Sequence, residues 1–161
     1  MRVSDARELE DGDPGTVALE NALRKARAVF EDAAQEIVIG CDTIVVADGR
    51  IFGKPGDEDE AAATIGALAG RTQQVISGLA VLIGAEERTA LAVTEVTFRA
   101  LNAEEVAAYV ATGEWRERSG GYAIQGAGSA LVERIDGEVE NVVGLPLGTL
   151  LELAPELAGA E

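Results

Sequence analysis

Ile37-Val38-Ile39-Gly40-Cys41-Asp42-Thr43-Ile44-Val45-Val46-Ala47 decides the fold. The run is apolar at both parities and rich in β-branched residues, so it predicts a central strand of a sheet. Asp48-Gly49 follows it, a hairpin signal, and Arg50 to Gly53 predicts a short return strand. One carboxylate, Asp42, interrupts the apolar run. Burying a charge is expensive unless it is paired, hydrated or metal-bound. Three roles are open for Asp42: an edge or bulge carboxylate satisfied by a backbone amide, a general base, or a metal ligand. Thr43 beside it is an ordinary strand-former that could also hydrogen-bond a ligand.

Before this strand, Asp13 can cap a helix with Pro14 at its first position. Val17, Leu19, Ala22, Leu23, Ala26, Val29 and Phe30 follow helical spacing to about Ala34, whereas Met1 to Gly12 is polar and predicts loop or a short edge strand. After the strand, Asp57 to Glu60 resembles a capping box that opens a helix to about Ala69, with Gly70 as its stop. Arg71 to Ile83 and Arg88 to Ala100 alternate like paired antiparallel strands joined through Gly84 to Glu87. Asn102 to Glu105 caps a short helix to Thr112 that ends at Gly113. Glu114 to Gly128 is glycine-rich and irregular. Ala130 to Ile135 and Glu138 to Val143 flank Asp136-Gly137, a second hairpin signal, and Pro146 can open a last helix to about Leu157. The fold class is therefore α/β: a mixed, largely antiparallel twisted sheet flanked by helices, with residues 1–161 forming a single domain.

Composition narrows the function. A net charge of −16 argues against broad binding of nucleic acid or an anionic membrane, which need a basic face. The absence of histidine and the single cysteine, Cys41, exclude a conventional zinc site, an internal disulfide and any Ser-His or Cys-His nucleophile pair. Cys41 reads as a buried structural thiol. Any metal has to be a hard cation on oxygen ligands. No apolar span of about 18 residues and no signal peptide are evident, which predicts a cytoplasmic protein.

Lysine usage is the sharpest compositional cue. Of 13 basic residues only Lys25 and Lys54 are lysines. A compact ammonium suits a phosphate oxygen. Lys54 sits between Gly53 and Pro55 at the hairpin exit. Lys25 lies mid-helix beside Arg24 and Arg27, where a solvated face is the competing reading. Gln125 stands among Gly120, Gly121, Gly126 and Gly128, and its amide can donate and accept, as reading a nucleobase edge requires. Gly126-Ala127-Gly128 is too short to be a dinucleotide-binding fingerprint.

Together these segments resemble the Maf family of nucleoside triphosphate pyrophosphatases, whose fold is similar to that of the inosine triphosphate pyrophosphatases. The resemblance runs from about Ser4 to Leu153. Cys41-Asp42-Thr43, Gly53-Lys54-Pro55, Gly70-Arg71-Thr72, Thr94 to Arg99, Gly121 to Gly126 and Asn141 to Leu147 carry it. It implies hydrolysis of a nucleoside triphosphate to the monophosphate and pyrophosphate, with Mg²⁺ or Mn²⁺ as cofactor. Asp42 is then the catalytic base or a metal ligand, Glu8 a second metal ligand, Lys25 and Lys54 phosphate-binding cations, and Thr43 and Gln125 selectors of the base. Asp42-Thr43 and Ile124-Gln125-Gly126 resemble the subgroup acting on dTTP and UTP, whereas the 7-methyl-GTP subgroup tends to carry Asp-Gln and Glu-Gly there. The implied partner is the nucleotide, with no nucleic acid and no membrane, and a homodimer is left open.

Family members open with a strand ending in Ser-Pro-Arg-Arg that grips the triphosphate. This chain begins near the family's Ser-Asp-x-x-Glu, here Ser4 to Glu8, so it is expected to be N-terminally incomplete relative to the family and less active than a version that restores the segment. Gln73 and Trp115 stand where histidine and proline are common. The alternative reading is a non-catalytic nucleotide-binding or regulatory module linked to cell division.

Overall fold

The computed structural model describes residues 11–30 and 36–159. Most of the polar start, Met1 to Gly12, and the end of the first helix at Ala34 lie outside them. Helix α1 spans Pro14–Phe30. Asp13 Oδ2 accepts from the Thr16 amide at 3.1 Å and its hydroxyl at 3.0 Å, which caps the helix as expected. Such a cap contributes about 1 kcal/mol.

The sheet is built from β1 (Ile37–Ala47), β2 (Arg50–Phe52), β3 (Thr72–Ile83), β4 (Glu86–Phe98) and β5 (Val132–Asp136) in the order β2-β1-β3-β4-β5. Each adjacent pair is antiparallel. Asp48 and Gly49 both take positive φ (50° and 73°), the left-handed backbone that a tight hairpin between β1 and β2 requires. The short β2 pairs only with Val45–Ala47. Residues 37–44 of β1 pair with β3 alone, so the sheet opens on one side of Asp42 and Thr43.

Helix α1 lies across β1 and β3. Two strand glycines let it come unusually close. A Cβ on Gly40 would stand 2.1 Å from the Ala22 carbonyl oxygen, and one on Gly78 2.3 Å from that of Ala18. Ala18, Ala22 and Ala26 face these glycines and are buried. Small residues on both sides thus seat the helix backbone almost on the strands, and burial of the alanine stripe holds it there.

The opposite face carries α2 (Glu58–Leu68), α3 (Ala103–Ala111), α4 (Val139–Val143) and α5 (Leu147–Leu153). Ile65, Leu68 and Tyr109 pack on Val45, Val75, Val96 and Phe98, while Leu150 and Ala154 cover Leu79 and Val81. Phe98 and Tyr122 meet edge-on with ring centroids 4.8 Å apart. Asn102 and Glu105 form the expected reciprocal capping box. Asp57 accepts from the Glu60 amide at 2.8 Å, but the Glu60 carboxylate bonds the Gly56 amide instead of closing the box.

Two expectations need correction. The β3–β4 turn is only Gly84-Ala85, because Ile83 already pairs with Glu86. Glu138 to Val143 is not a strand returning from β5. Residues 139–143 are helical, and the buried Asn141 amide donates to the Val75 carbonyl at 3.0 Å and to Thr94 Oγ1 at 3.1 Å. Those two bonds anchor the segment on the sheet face, where a strand continuing beyond β5 would not reach.

Candidate active site

Asp42 and Thr43 are consecutive in β1, so they face opposite sides of the sheet. Asp42 points to the α1 face and is 6% exposed. Its Oδ1 accepts from Lys25 Nζ at 2.7 Å and its Oδ2 from Asn21 Nδ2 at 3.0 Å. Asn21 and Lys25 are one helical turn apart on α1, so the close seating at Gly40 and Gly78 delivers both to one carboxylate. The side chains of α1, rather than a backbone amide, therefore satisfy Asp42. Two bonds occupy about half of a carboxylate's acceptor capacity, which leaves lone pairs for a water or a cation.

On the other face, Thr43 Oγ1 shares a 2.7 Å hydrogen bond with Ser77 Oγ. Ser119 Oγ donates to the Thr43 carbonyl at 2.9 Å. Cys41 Sγ donates to the Gly144 carbonyl at 3.3 Å, and burial pushes its thiol pKa up despite the Thr43 hydrogen bond. Cys41 is thus a poorly ionised thiol, half-buried rather than fully buried as the sequence suggested.

Because β2 stops short, the two faces communicate around the open side of β1. A cavity of about 360 Å³ and one of about 180 Å³ share Asp42, Thr43, Lys54 and Ser119 in their walls. Asn21 borders the first and Lys25 the second. Lys54 is exposed at the exit of β2, where the Gly120 amide bonds the Gly53 carbonyl at 3.1 Å and ties the two loops together. The second cavity continues past Arg118, Tyr122, Val142 and Val143 into a third of about 260 Å³ that contains Gln125. The Gln125 loop is held at both ends: the Ala123 amide donates to the Tyr109 hydroxyl and the Ala127 amide to the Glu114 carboxylate, each at 2.9 Å.

The structure thus brings Lys25, Asp42, Thr43 and Lys54 to one end of a continuous cleft and Gln125 to the other. Glu8 lies outside the described residues. Sequence reasoning missed Asn21, Ser119, Arg118 and Tyr122. Asn21 had a readable signal, a polar residue on the apolar stripe of α1 one turn before Lys25; Ser119 had none. Tyr122 is buried, its hydroxyl has no hydrogen-bond partner among the described residues, and burial raises its pKa.

Among the described residues, no three His, Cys, Asp or Glu side chains gather into a ready-made metal cage, and no helix is long and apolar enough to cross a membrane. Glu60 and Glu117 line the cleft, one in each of the cavities that meet at Asp42.

The family described as Maf-like protein matches residues 1–157, and the chain belongs to that family. Three relatives make the likeness concrete. The chain is 43% identical to a dTTP/UTP pyrophosphatase of Deinococcus radiodurans over 92% of its own length and 76% of the relative's. It is 47% identical to a protein of the same name from Symbiobacterium thermophilum, over 82% and 68%. For that of Thermococcus onnurineus the figures are 45%, over 88% and 76%.

Proposed function

We propose that this chain, read as one Maf-like domain, hydrolyses dTTP and UTP to the monophosphate and pyrophosphate. The observation that carries this reading is the continuous cleft, with a carboxylate and two lysines at one end and a glutamine loop at the other. The relatives' names support the reaction, and they do not favour the non-catalytic alternative.

The substrate's own order, base–ribose–triphosphate, matches the cleft. Gln125 takes the base edge, and Lys54 and Lys25 face the phosphates. Asp42 accepts a proton from a water that attacks the α-phosphorus. The α–β bridging oxygen leaves with pyrophosphate as its bond to the α-phosphorus breaks. Negative charge builds on the phosphoryl oxygens as this proceeds, so cations fixed beforehand are worth most there. Lys25 and Asn21 also hold the Asp42 carboxylate in one orientation.

A bound Mg²⁺ or Mn²⁺ supplies further charge neutralisation at the phosphates. Asp42 and Glu8 are the carboxylates that would hold such an ion. Asp42 is the buried carboxylate at the cleft wall, and Mg²⁺ commonly takes one or two carboxylates, with phosphate oxygens and water completing its shell. Glu8 is proposed as the second carboxylate.

Asp42→Asn tests the reading. Loss of a general base typically costs about 10²–10⁴-fold in rate. We expect that loss in pyrophosphate release, with the fold retained by circular dichroism. A variant keeping more than half the wild-type rate removes Asp42 from the chemistry.

A further inference from the structure

Two of the cavities adjoin between the ends of the cleft. Four residues, Arg118, Tyr122, Val142 and Val143, line both the cavity beside Asp42 and the one at Gln125. Arg118 is the only charged group among them. It is exposed, and among the described residues no ion pair or side-chain hydrogen bond holds its guanidinium. That is unusual in this chain. Arg27, Arg71, Arg88, Arg99 and Arg134 each pair with a carboxylate, and Arg50 and Arg116 lie over aromatic rings. In a protein with a net charge of −16, an arginine left unpaired in the middle of a cleft marks a place for an anion.

The backbone that presents Arg118 is fixed. Its carbonyl accepts from the Gly121 amide at 3.0 Å, and its neighbour Ser119 is tied to β1 through the Thr43 carbonyl. Glu117, just before it, holds φ at +59°, a conformation uncommon for a residue with a Cβ and one that the surrounding contacts must maintain. Glu117 lines the same cavity, yet it forms no ion pair with Arg118.

We propose that Arg118 binds the α-phosphate of the nucleotide, the phosphate at which the bond breaks. The inference rests on the reading above. With the base at Gln125 and the outer phosphates toward Lys54, the connectivity of the substrate puts the ribose and α-phosphate where the two cavities adjoin. A guanidinium fork there meets two phosphate oxygens with two parallel, fixed N–H donors, whereas an ammonium acts as a point charge.

The test compares binding of dTMP with that of thymidine, which lacks only the phosphate, by calorimetry on the wild type, Arg118→Ala and Arg118→Lys. Arg118 is exposed, so equal melting temperatures are expected for all three. Arg118→Ala is expected to weaken dTMP by about tenfold or more, the order of one charge-assisted bond pair, while thymidine is unchanged. Arg118→Lys should recover part of the loss. In turnover, kcat for dTTP should fall more than KM rises, because the α-phosphoryl group gains charge in the transition state. An unchanged dTMP-to-thymidine ratio in Arg118→Ala, with a wild type that hydrolyses dTTP, overturns the assignment alone. A wild type that neither binds dTMP nor releases pyrophosphate overturns the functional reading and this assignment with it.

Discussion

Gly40→Ala is the most informative single change outside the cleft. The added Cβ would sit 2.1 Å from the Ala22 carbonyl oxygen and 2.9 Å from Ala26 Cβ, against a floor near 3.0 Å for real contacts. The obstacles are backbone atoms of α1 and a methyl fixed directly to that backbone, so no flexible side chain can swing away. Helix α1 has to retreat by about 1 Å. Overpacking of this kind costs about 1–3 kcal/mol. In a chain of this length each kcal/mol moves Tm by about 2–4 °C, so a fall of about 2–12 °C is expected. The same helix carries Asn21 and Lys25, whose bonds to Asp42 are 3.0 and 2.7 Å. A shift of 1 Å takes both past the roughly 3.2 Å limit of a good hydrogen bond. Displacement of that size at a catalytic group can cost about 10²-fold. Thermal unfolding and pyrophosphate release from dTTP measure the two effects. Gly66→Ala in α2 is the control: nothing lies within 4 Å of its Cβ, and alanine in a helix interior should add about 0.5–1 kcal/mol with no loss of rate. If Gly40→Ala keeps both the wild-type Tm and the wild-type rate, α1 does not position the Asp42 carboxylate.

Three further outcomes are expected. Lys54→Ala should lower kcat/KM for dTTP more than Lys54→Arg does, with Tm within about 1 °C of wild type in both, since an exposed lysine adds little stability; equal, wild-type kinetics would make Lys54 a solvated charge. Gln125→Ala should lower kcat/KM for dTTP and UTP by about tenfold or more while changing that for ATP less, because a site that hydrogen-bonds one base edge discriminates through it; a uniform loss across all bases would place Gln125 outside base recognition. Tyr122→Phe removes a buried hydroxyl without a partner among the described residues and should raise Tm at pH 7. The folded-state pKa of Tyr122 is raised by burial, so its contribution to stability is present below its ordinary pKa near 10 and is lost as pH rises through the higher folded value. Tm measured from pH 8 to 11 should therefore fall less steeply in Tyr122→Phe, and identical slopes would contradict the assignment.

Much of this molecule is legible in its sequence because local rules and tertiary packing agree. The β1 run, the Asp48-Gly49 turn and the Asp13 and Asn102 caps are all short-range features, and each forms where its residues predict. The failures occur where a distant partner decides. Asp136-Gly137 reads as a hairpin, yet Asn141 finds the Val75 carbonyl and Thr94, and the segment turns helical instead. For the site, Asp42 and Lys54 stood out as lone charges in apolar or glycine-bounded settings. The pairing of Lys25 with Asp42 depends on where α1 crosses β1, which Gly40 and Gly78 set by leaving no Cβ in the way. A glycine inside a strand pattern is the available signal for such close approach. Arg118 was hidden for another reason. Its distinction is the absence of a partner among the described residues, and only the packed structure shows which arginines are taken.

On this account, water activated by Asp42 attacks the α-phosphorus. Hydrolysis of dTTP in ¹⁸O-labelled water, followed by mass spectrometry of the products, tests it most directly. One labelled oxygen in dTMP and none in pyrophosphate is the predicted result. Label in pyrophosphate with unlabelled dTMP, or release of dTDP and orthophosphate, would contradict it.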